Sequence, residues 1–406
     1  MRNGVANATP FLACTAGGER AGSGKIRMVS SIRVWIVSAV WLCAAAQCPD
    51  AALKKAVAAH QAGDLDAAIS AYRECLKGDP GQLTALINLG AALSRQGRFQ
   101  EAIDVYRAGL KRAPNDPNLA LNLSLAHYKM GDIGDAAREL DQLHKRTPSN
   151  RQVTYLLADC WLQMGENSKI VQLLTPLNKE NPADLGVAYL LGTALLRLKQ
   201  YDEGQRALDP IFRRGDSAES RLLMGSVKLA QADFPGALEE FKKGYEMNPK
   251  LPLINGYLGQ AMMETGDAQG AAQAFRRELD LNPNNFLANL NLGVILKQEQ
   301  QYDEALKVLA RALRIRPGDF GVRYQQGVIA LAQGRMEDAR KTFEALVKDS
   351  PEFTEAHVTL ATIYYRLKRK EDGDRERAIV NKLNAEAQAR QVQAPLDALK
   401  TGEKKP

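Results

Sequence analysis

From residue 51 to residue 383, apolar and polar positions follow one grammar that returns every 34 residues, with a single 33-residue step between the segments holding Gly192 and Gly225. In the segment from Phe286 to Asp319, Leu292, Gly293 and Leu296 fall at helical spacing, a polar break runs from Gln298 to Gln301, and Ala305, Leu309, Ala312 and Leu313 resume the helical spacing. The Gly293 place recurs as Ala56, Gly90, Ser124, Ala158, Gly192, Gly225, Gly259, Gly327 and Ala361, all small residues. The Ala305 place recurs as Ala68, Ala102, Ala136, Ile170, Gly204, Ala237, Ala271, Ala339 and Gly373. The Pro317 place recurs as Pro80, Pro114, Pro148, Pro182, Pro249, Pro283 and Pro351, with Asp216 as the one exception. Each unit therefore predicts two helices of about three turns, the second ended by a proline that cannot donate the next hydrogen bond. A period of this length predicts a stack of supersecondary units rather than one globular core.

This grammar resembles the tetratricopeptide repeat family, whose motif Leu292-Gly293, Ala305, Leu309 and Pro317 match residue by residue. The resemblance covers residues 49–383 and implies an all-α fold, an α-α superhelix of about ten helix-turn-helix repeats. One departure is plain. The family's first aromatic place holds Leu86, Ala120 or Asn289, so aromatic packing between units is expected to be lighter. The small residues at the Gly293 and Ala305 places are expected to let the two backbones of a hairpin approach closely. Short turns carry Gly63-Asp64, Gly97-Arg98, Gly131-Asp132 and Gly266-Asp267, where a positive φ is cheap. Pro176 and Pro210 sit late in the second helices of repeats four and five, and the missing residue and the Asp216 exception fall beside them, so a local change of pitch is expected there. Residues 374–393, with Ile379, Leu383 and Ala387 on one face, predict a capping helix that closes the stack, and residues 394–406 predict a disordered tail.

Composition changes this picture little. The 54 Lys and Arg against 47 Asp and Glu give +7, but residues 1–46 carry +4 of it, leaving +3 for the repeats and tail. That is a mixed, solvated surface, of which Glu239-Glu240 beside Lys242-Lys243 is an example, and it lacks the gathered basic face that nucleic-acid binding requires. Residues 28–46 read as a secretory signal peptide: Arg33, an apolar run from Val34 to Cys43, then small Ala44 and Ala46. The run is short of the roughly 20 residues that span a bilayer. Export to the periplasm or medium is therefore expected, with a retained membrane anchor as the alternative. Residues 1–27 form an upstream leader, explained most simply by translation starting at Met28. Within it, the stretch from Gly18 to Ile26 lacks the glycine and the Ser or Thr of a phosphate-binding loop, at Glu19 and Ile26.

If the signal is removed, Cys48, Cys75 and Cys160 remain in an oxidising compartment. Cys48 precedes the first helix of the first repeat and Cys75 lies near the end of its antiparallel partner, so the two form a candidate disulfide. Cys160 reads as a buried small hydrophobe. The four histidines, His60, His127, His144 and His357, show no spacing that metal ligation favours, so no metal and no cofactor is expected, and His127 reads as a core histidine. No nucleophile and base stand in a plausible arrangement. The chain is expected not to be an enzyme.

What remains is surface. The family resemblance implies that the first helix of each hairpin lines the concave side. On those helices Asn88 and Arg95 lie two turns apart, as do Asn122 and Lys129 one repeat later, and Tyr155, Asp159, Tyr189 and Arg197 continue the stripe. It offers amides for a peptide backbone, tyrosines for side chains and cations for carboxylates. The Lys and Asn clamp of chaperone-tail-binding members is absent, since its places hold Ile87, Ala91, Leu121 and Leu125. Asn88, Asn122 and Asn291 resemble the asparagine ladder of protein O-linked N-acetylglucosamine transferases, yet the residues after the repeats are too few for a catalytic domain. The reading is an exported, non-enzymatic scaffold that binds an extended peptide or partner protein. Its alternative is a recognition subunit for a glycosyltransferase-like or other envelope enzyme acting in trans. Oligomeric state is left open.

The signal at residues 28–46 generates the first prediction. N-terminal sequencing of the cell-associated protein should return a chain beginning near Gln47, outside the cytoplasm; a cytoplasmic chain beginning at Met1 would exclude the signal.

Overall fold

The computed structural model describes residues 50–401, with side chains from 51 to 389. The leader, the signal segment and Cys48 lie outside these residues. Twenty α-helices run through the described residues, and they divide into two compact units. The first unit, to Pro252, holds α1 (Asp50–Ala62), α2 (Leu65–Gly78), α3 (Leu83–Arg95), α4 (Phe99–Arg112), α5 (Pro117–Met130), α6 (Ile133–Arg146), α7 (Arg151–Met164), α8 (Asn167–Glu180), α9 (Leu185–Arg197), α10 (Tyr201–Phe212), α11 (Ala218–Ala230) and α12 (Phe234–Met247). The second, from Leu253, holds α13 (Ile254–Glu264), α14 (Ala268–Leu281), α15 (Phe286–Gln298), α16 (Tyr302–Ile315), α17 (Phe320–Ala332), α18 (Met336–Asp349), α19 (Thr354–Arg366) and α20 (Lys370–Thr401). Each odd-numbered helix and its successor form one hairpin, giving ten.

The small place on the first helix of a hairpin is filled by a large side chain from the second. A Cβ added at Gly259 would come within 2.8 Å of the Phe275 ring, and one at Gly293 within 2.7 Å of Leu309. Tyr106 stands in the same way against Gly90, Phe241 against Gly225 and Phe343 against Gly327. Close backbone approach, expected throughout, is clearest in the α9–α10 hairpin, where a Cβ on Gly192 would meet the Gly204 carbonyl oxygen at 3.2 Å. In several hairpins the second helix supplies the ring that fills this place. Phe241, Phe275 and Phe343 are fully buried, and each contributes about 1.5–3 kcal/mol relative to exposure.

The turn inside each hairpin places one residue in the left-handed region. Glycine occupies it at Gly63, Gly97, Gly131, Gly165, Gly266 and Gly334, but Lys199, Ala232, Gln300 and Lys368 adopt the same conformation at φ of 60–62°. The packing of the hairpin thus imposes a left-handed turn on residues whose Cβ disfavours it by roughly 1–2 kcal/mol. Between hairpins, Asp116, Asn150, Asp184, Asn285 and Asp319 cap the next first helix by accepting its early backbone N–H groups.

Three places depart from the repeat. Pro176 is held inside a full-length α8, whereas α10 with Pro210 stops after 12 residues where the corresponding helix α8 has 14. The α13 helix is preceded by Leu253, itself left-handed at φ 73° and without a capping side chain. The cap comes from elsewhere: Glu278 of α14, fully buried, accepts the Gly256 N–H at 3.2 Å and is held by the Asn285 amide at 3.0 Å. A carboxylate at a helix N-terminus is favoured by the dipole, although burial raises its pKa above the usual value. Finally, α20 is one continuous helix of 32 residues. It serves as the second helix of the last hairpin, runs through the expected capping segment, and continues to Thr401, so the backbone from residue 394 to there is helical where a disordered tail was expected. Ile379, expected to face the stack, is exposed.

Two substitutions test the hairpin. Gly259→Val drives a branched side chain against Phe275 and should cost about 1–3 kcal/mol, read as a lowered urea midpoint. Gln300→Gly relieves the left-handed turn and should stabilise by up to about 1 kcal/mol, read as a raised urea midpoint.

Candidate functional site

The sequence-predicted stripe lies on α3, α5, α7 and α9, all in the first unit. The structure separates it into two kinds of residue. Arg95, Lys129 and Arg197 are exposed on the last turns of α3, α5 and α9, and Asn88 and Asn122 are half-buried two turns earlier. Tyr155, Asp159 and Tyr189 are buried, at 4%, 4% and 2% exposure. Burial follows from position. Tyr155 and Tyr189 sit one place before the asparagine register and Asp159 three places after it, where each meets the neighbouring helices.

The cations reach back along the stack. Arg197 Nη1 donates to the Leu162 carbonyl of α7 at 2.7 Å, and Arg95 Nη1 to the His60 carbonyl of α1 at 3.4 Å. Each carbonyl already accepts a turn N–H, from Gly165 and Gly63, and the cation adds a second donor at the negative dipole end of the preceding first helix. Crowding by the surrounding chain lowers the Lys129 ammonium from its ordinary value.

The buried residues form a polar network instead of an open surface. Asp159 Oδ2 accepts from the Tyr128 hydroxyl at 2.7 Å and the Gln163 amide at 2.8 Å. Tyr155 donates to Asp184 Oδ2 at 2.5 Å, an oxygen that also takes Arg151 at 2.7 Å, while Asp184 Oδ1 caps α9 through the Gly186 and Val187 N–H groups. Burial is the main influence on Asp159 and raises its carboxyl; the Tyr128 and Gln163 hydrogen bonds and the Arg197 charge only partly offset it. Burial and the Asp159 charge together push the Tyr128 hydroxyl well up.

Tyr128, Gln163 and Asp184 were missed in the sequence. A signal existed for one of them: Gln163 occupies the place that holds Arg95, Lys129 and Arg197 in neighbouring repeats. Glu240, taken for part of a solvated charge run, is also different. It is 5% exposed and pairs with Arg221 at 2.7 Å and Lys228 at 2.9 Å, because it faces α11 rather than solvent. Beside it, where α10 stops early, a cavity of about 750 Å³ opens between α10 and α11, lined by Phe212, Met224 and Val227 with Arg206, Asp209 and Lys228. Among the described residues one group of three metal-ligating side chains lies together, His127, Asp132 and Asp135. Cys75 is disulfide-bonded, and Cys48, its expected partner, lies outside the described residues; Cys160 is a buried free thiol. No helix of the described residues is long and apolar enough to cross a membrane.

Residues 59–126 match a tetratricopeptide repeat model, and residues 189–252, 258–320 and 324–373 match a second model of the same description, together more than half of the chain. The chain belongs to the tetratricopeptide repeat family. Residues 140–211 match a model for the anaphase-promoting complex, cyclosome, subunit 3. The tetratricopeptide repeat fold is typically non-catalytic, and its repeats generally mediate protein–protein contacts. A search of curated proteins finds no match. Similar solved structures include a MamA RS-1 ArsTM double mutant, 24% identical, covering 43% of this chain and 98% of its own with a TM-score of 0.40. A MamA fragment, 41-end, from Desulfovibrio magneticus RS-1 is 24% identical and covers 42% of this chain and 97% of its own, with a TM-score of 0.39. A further MamA crystal structure is 19% identical over 41% of this chain and 97% of its own, with a TM-score of 0.38.

The buried network makes a pH prediction for this tetratricopeptide repeat protein. A carboxyl whose pKa is raised on folding holds its proton more tightly in the native state, so its cost is absent below the usual aspartate range and grows as pH rises through the raised value. Asp159→Asn keeps an acceptor for Tyr128 and Gln163 and removes the buried charge. Its urea midpoint should exceed that of the wild type at pH 7.5, with the difference vanishing toward pH 3.5; a pH-independent difference would contradict the assignment.

Proposed function

We propose that the chain is a non-enzymatic, exported scaffold that binds an extended, acidic segment of a partner protein along the first helices of its first unit. The observation that carries this reading is the recurrence of exposed Arg95, Lys129 and Arg197 at one place of α3, α5 and α9, with half-buried Asn88 and Asn122 two turns before the first two. An extended chain crossing successive repeats meets the same donors at regular intervals, amides for its backbone and cations for its carboxylates. The buried Tyr155, Asp159 and Tyr189 act in this reading by fixing α7 and α9, not by touching the partner. Support for export comes from the signal-like residues 28–46 and from the disulfide at Cys75, which persists in oxidising compartments.

The test is the double replacement Arg95→Glu and Lys129→Glu in a pull-down of the mature chain from envelope extract, followed by affinity measurement with the captured partner. Affinity should fall at least about tenfold and wild-type binding should weaken as salt rises, because exposed charges are screened beyond about 8–10 Å at physiological ionic strength. Both residues are exposed, so the loss of stability should stay within about 1–2 kcal/mol, the cost of placing carboxylates at two helix C-termini, and the fold should be retained. Undiminished binding by the double variant would exclude this face.

A further inference from the structure

The His127 imidazole lies on the last turn of α5 and is 3% exposed. Its Nδ1 is buried and makes no hydrogen bond among the described residues. An unpaired ring nitrogen in the interior is costly if nothing satisfies it. The other deep histidine, His357, is satisfied: Nδ1 meets Glu376 at 2.5 Å and Nε2 meets the Pro351 carbonyl at 3.0 Å. His144 Nδ1 likewise meets the Thr154 hydroxyl at 3.2 Å.

What faces His127 Nδ1 is carboxylate. Asp132 Oδ2 stands 3.7 Å away and Asp135 Oδ2 4.0 Å, and the three atoms lie within 4.8 Å of one another. These distances are too long for hydrogen bonds. Asp132 is the N-cap residue of α6, yet its side chain accepts no capping hydrogen bond. The aspartates at the same place of other repeats do cap: Asp64 takes the Ala67 N–H, Asp233 that of Gly236 and Asp267 that of Gly270. Asp132 has given up that bond and turned toward the histidine. Asp135 gives its other oxygen, Oδ1, to Arg138 at 2.5 Å, leaving Oδ2 on the histidine side.

We propose that His127, Asp132 and Asp135 hold a divalent first-row metal ion across the α5–α6 turn. Around an ion bonded to nitrogen and oxygen at about 2.0–2.2 Å, neighbouring ligand atoms are about 3–3.6 Å apart, so each side chain needs to move by only about half an ångström. One imidazole and two carboxylates favour Zn²⁺ over Ca²⁺, which prefers oxygen alone and more ligands. The bound ion satisfies the orphaned nitrogen and ties the end of α5 to the first turn of α6. The site is independent of the peptide-binding reading.

The test uses the tag-free mature chain, stripped with chelator and titrated with Zn²⁺ alone by calorimetry. Binding of one equivalent tighter than about 10 µM is expected, with weaker binding of Ca²⁺ and a rise in Tm with Zn²⁺. Asp132→Asn with Asp135→Asn, both at partly exposed positions, should weaken Zn²⁺ at least about tenfold while the circular dichroism stays that of wild type. Proton NMR of the wild type should show Zn²⁺ shifting one imidazole of the four. Absence of binding at 100 µM Zn²⁺, equal affinity for Ca²⁺, or wild-type affinity in the double variant would overturn the site.

Discussion

Six hairpins depend on one steric arrangement: a glycine on the first helix, and a ring or leucine from the second helix occupying the space it leaves; in the α19–α20 hairpin the roles reverse, with Tyr365 against Gly373. Gly225 with Phe241, Gly259 with Phe275 and Gly327 with Phe343 are the same interlock repeated. A close-packed interior has no slack for an added methyl group, so this contact sets the spacing of the two helices. The spacing in turn forces the tight turn, strongly enough that Lys199, Ala232, Gln300 and Lys368 accept a left-handed backbone that glycine takes freely in other repeats.

The same repetition shapes the candidate surface. A first helix has one face toward its hairpin partner, one toward the adjoining repeats and a remainder toward solvent. Arg95, Lys129 and Arg197 fall on the remainder, where a cation at a helix C-terminus is favoured by the dipole whether or not a partner is bound. Tyr155 and Asp159 fall against the neighbouring helices, where a polar atom must be paired. Their hydrogen bonds to Asp184, Tyr128 and Gln163 fix the geometry of α7 and α9 relative to their neighbours. One stripe thus holds buried residues that fix the helices and exposed cations that stay at the surface.

Irregularity concentrates where the repeat is broken. Pro210 and the shortened α10 leave the α10–α11 seam open, and the buried Glu240 with Arg221 and Lys228 joins α11 to α12 beside it. At the start of the second unit, Glu278 supplies from α14 the cap that Leu253 cannot. In both cases a buried carboxylate is retained because it meets specific donors, and a hydrophobic replacement would leave those donors unpaired.

The sequence alone determined the family, the period, the helix pairs, the turns and the place of one of the three irregularities, at Pro210, because each is written in residues that recur at fixed intervals and act locally: a small residue, a turn glycine, a terminating proline. It also identified the exposed cations, which share one register position. It could not separate Asp159 from a solvent-facing aspartate, or Glu240 from its exposed neighbour Glu239, since burial of a single side chain depends on helix rotation and on what the next helix presents. Nor could it join His127 to Asp132 and Asp135, five and eight residues on. The turn between α5 and α6 brings them together, and no pattern along a single helix records that. The length of α20 was misread for the complementary reason. A polar segment without a repeat to match carries little signal, and the helix continues from the α19–α20 hairpin beyond the stack.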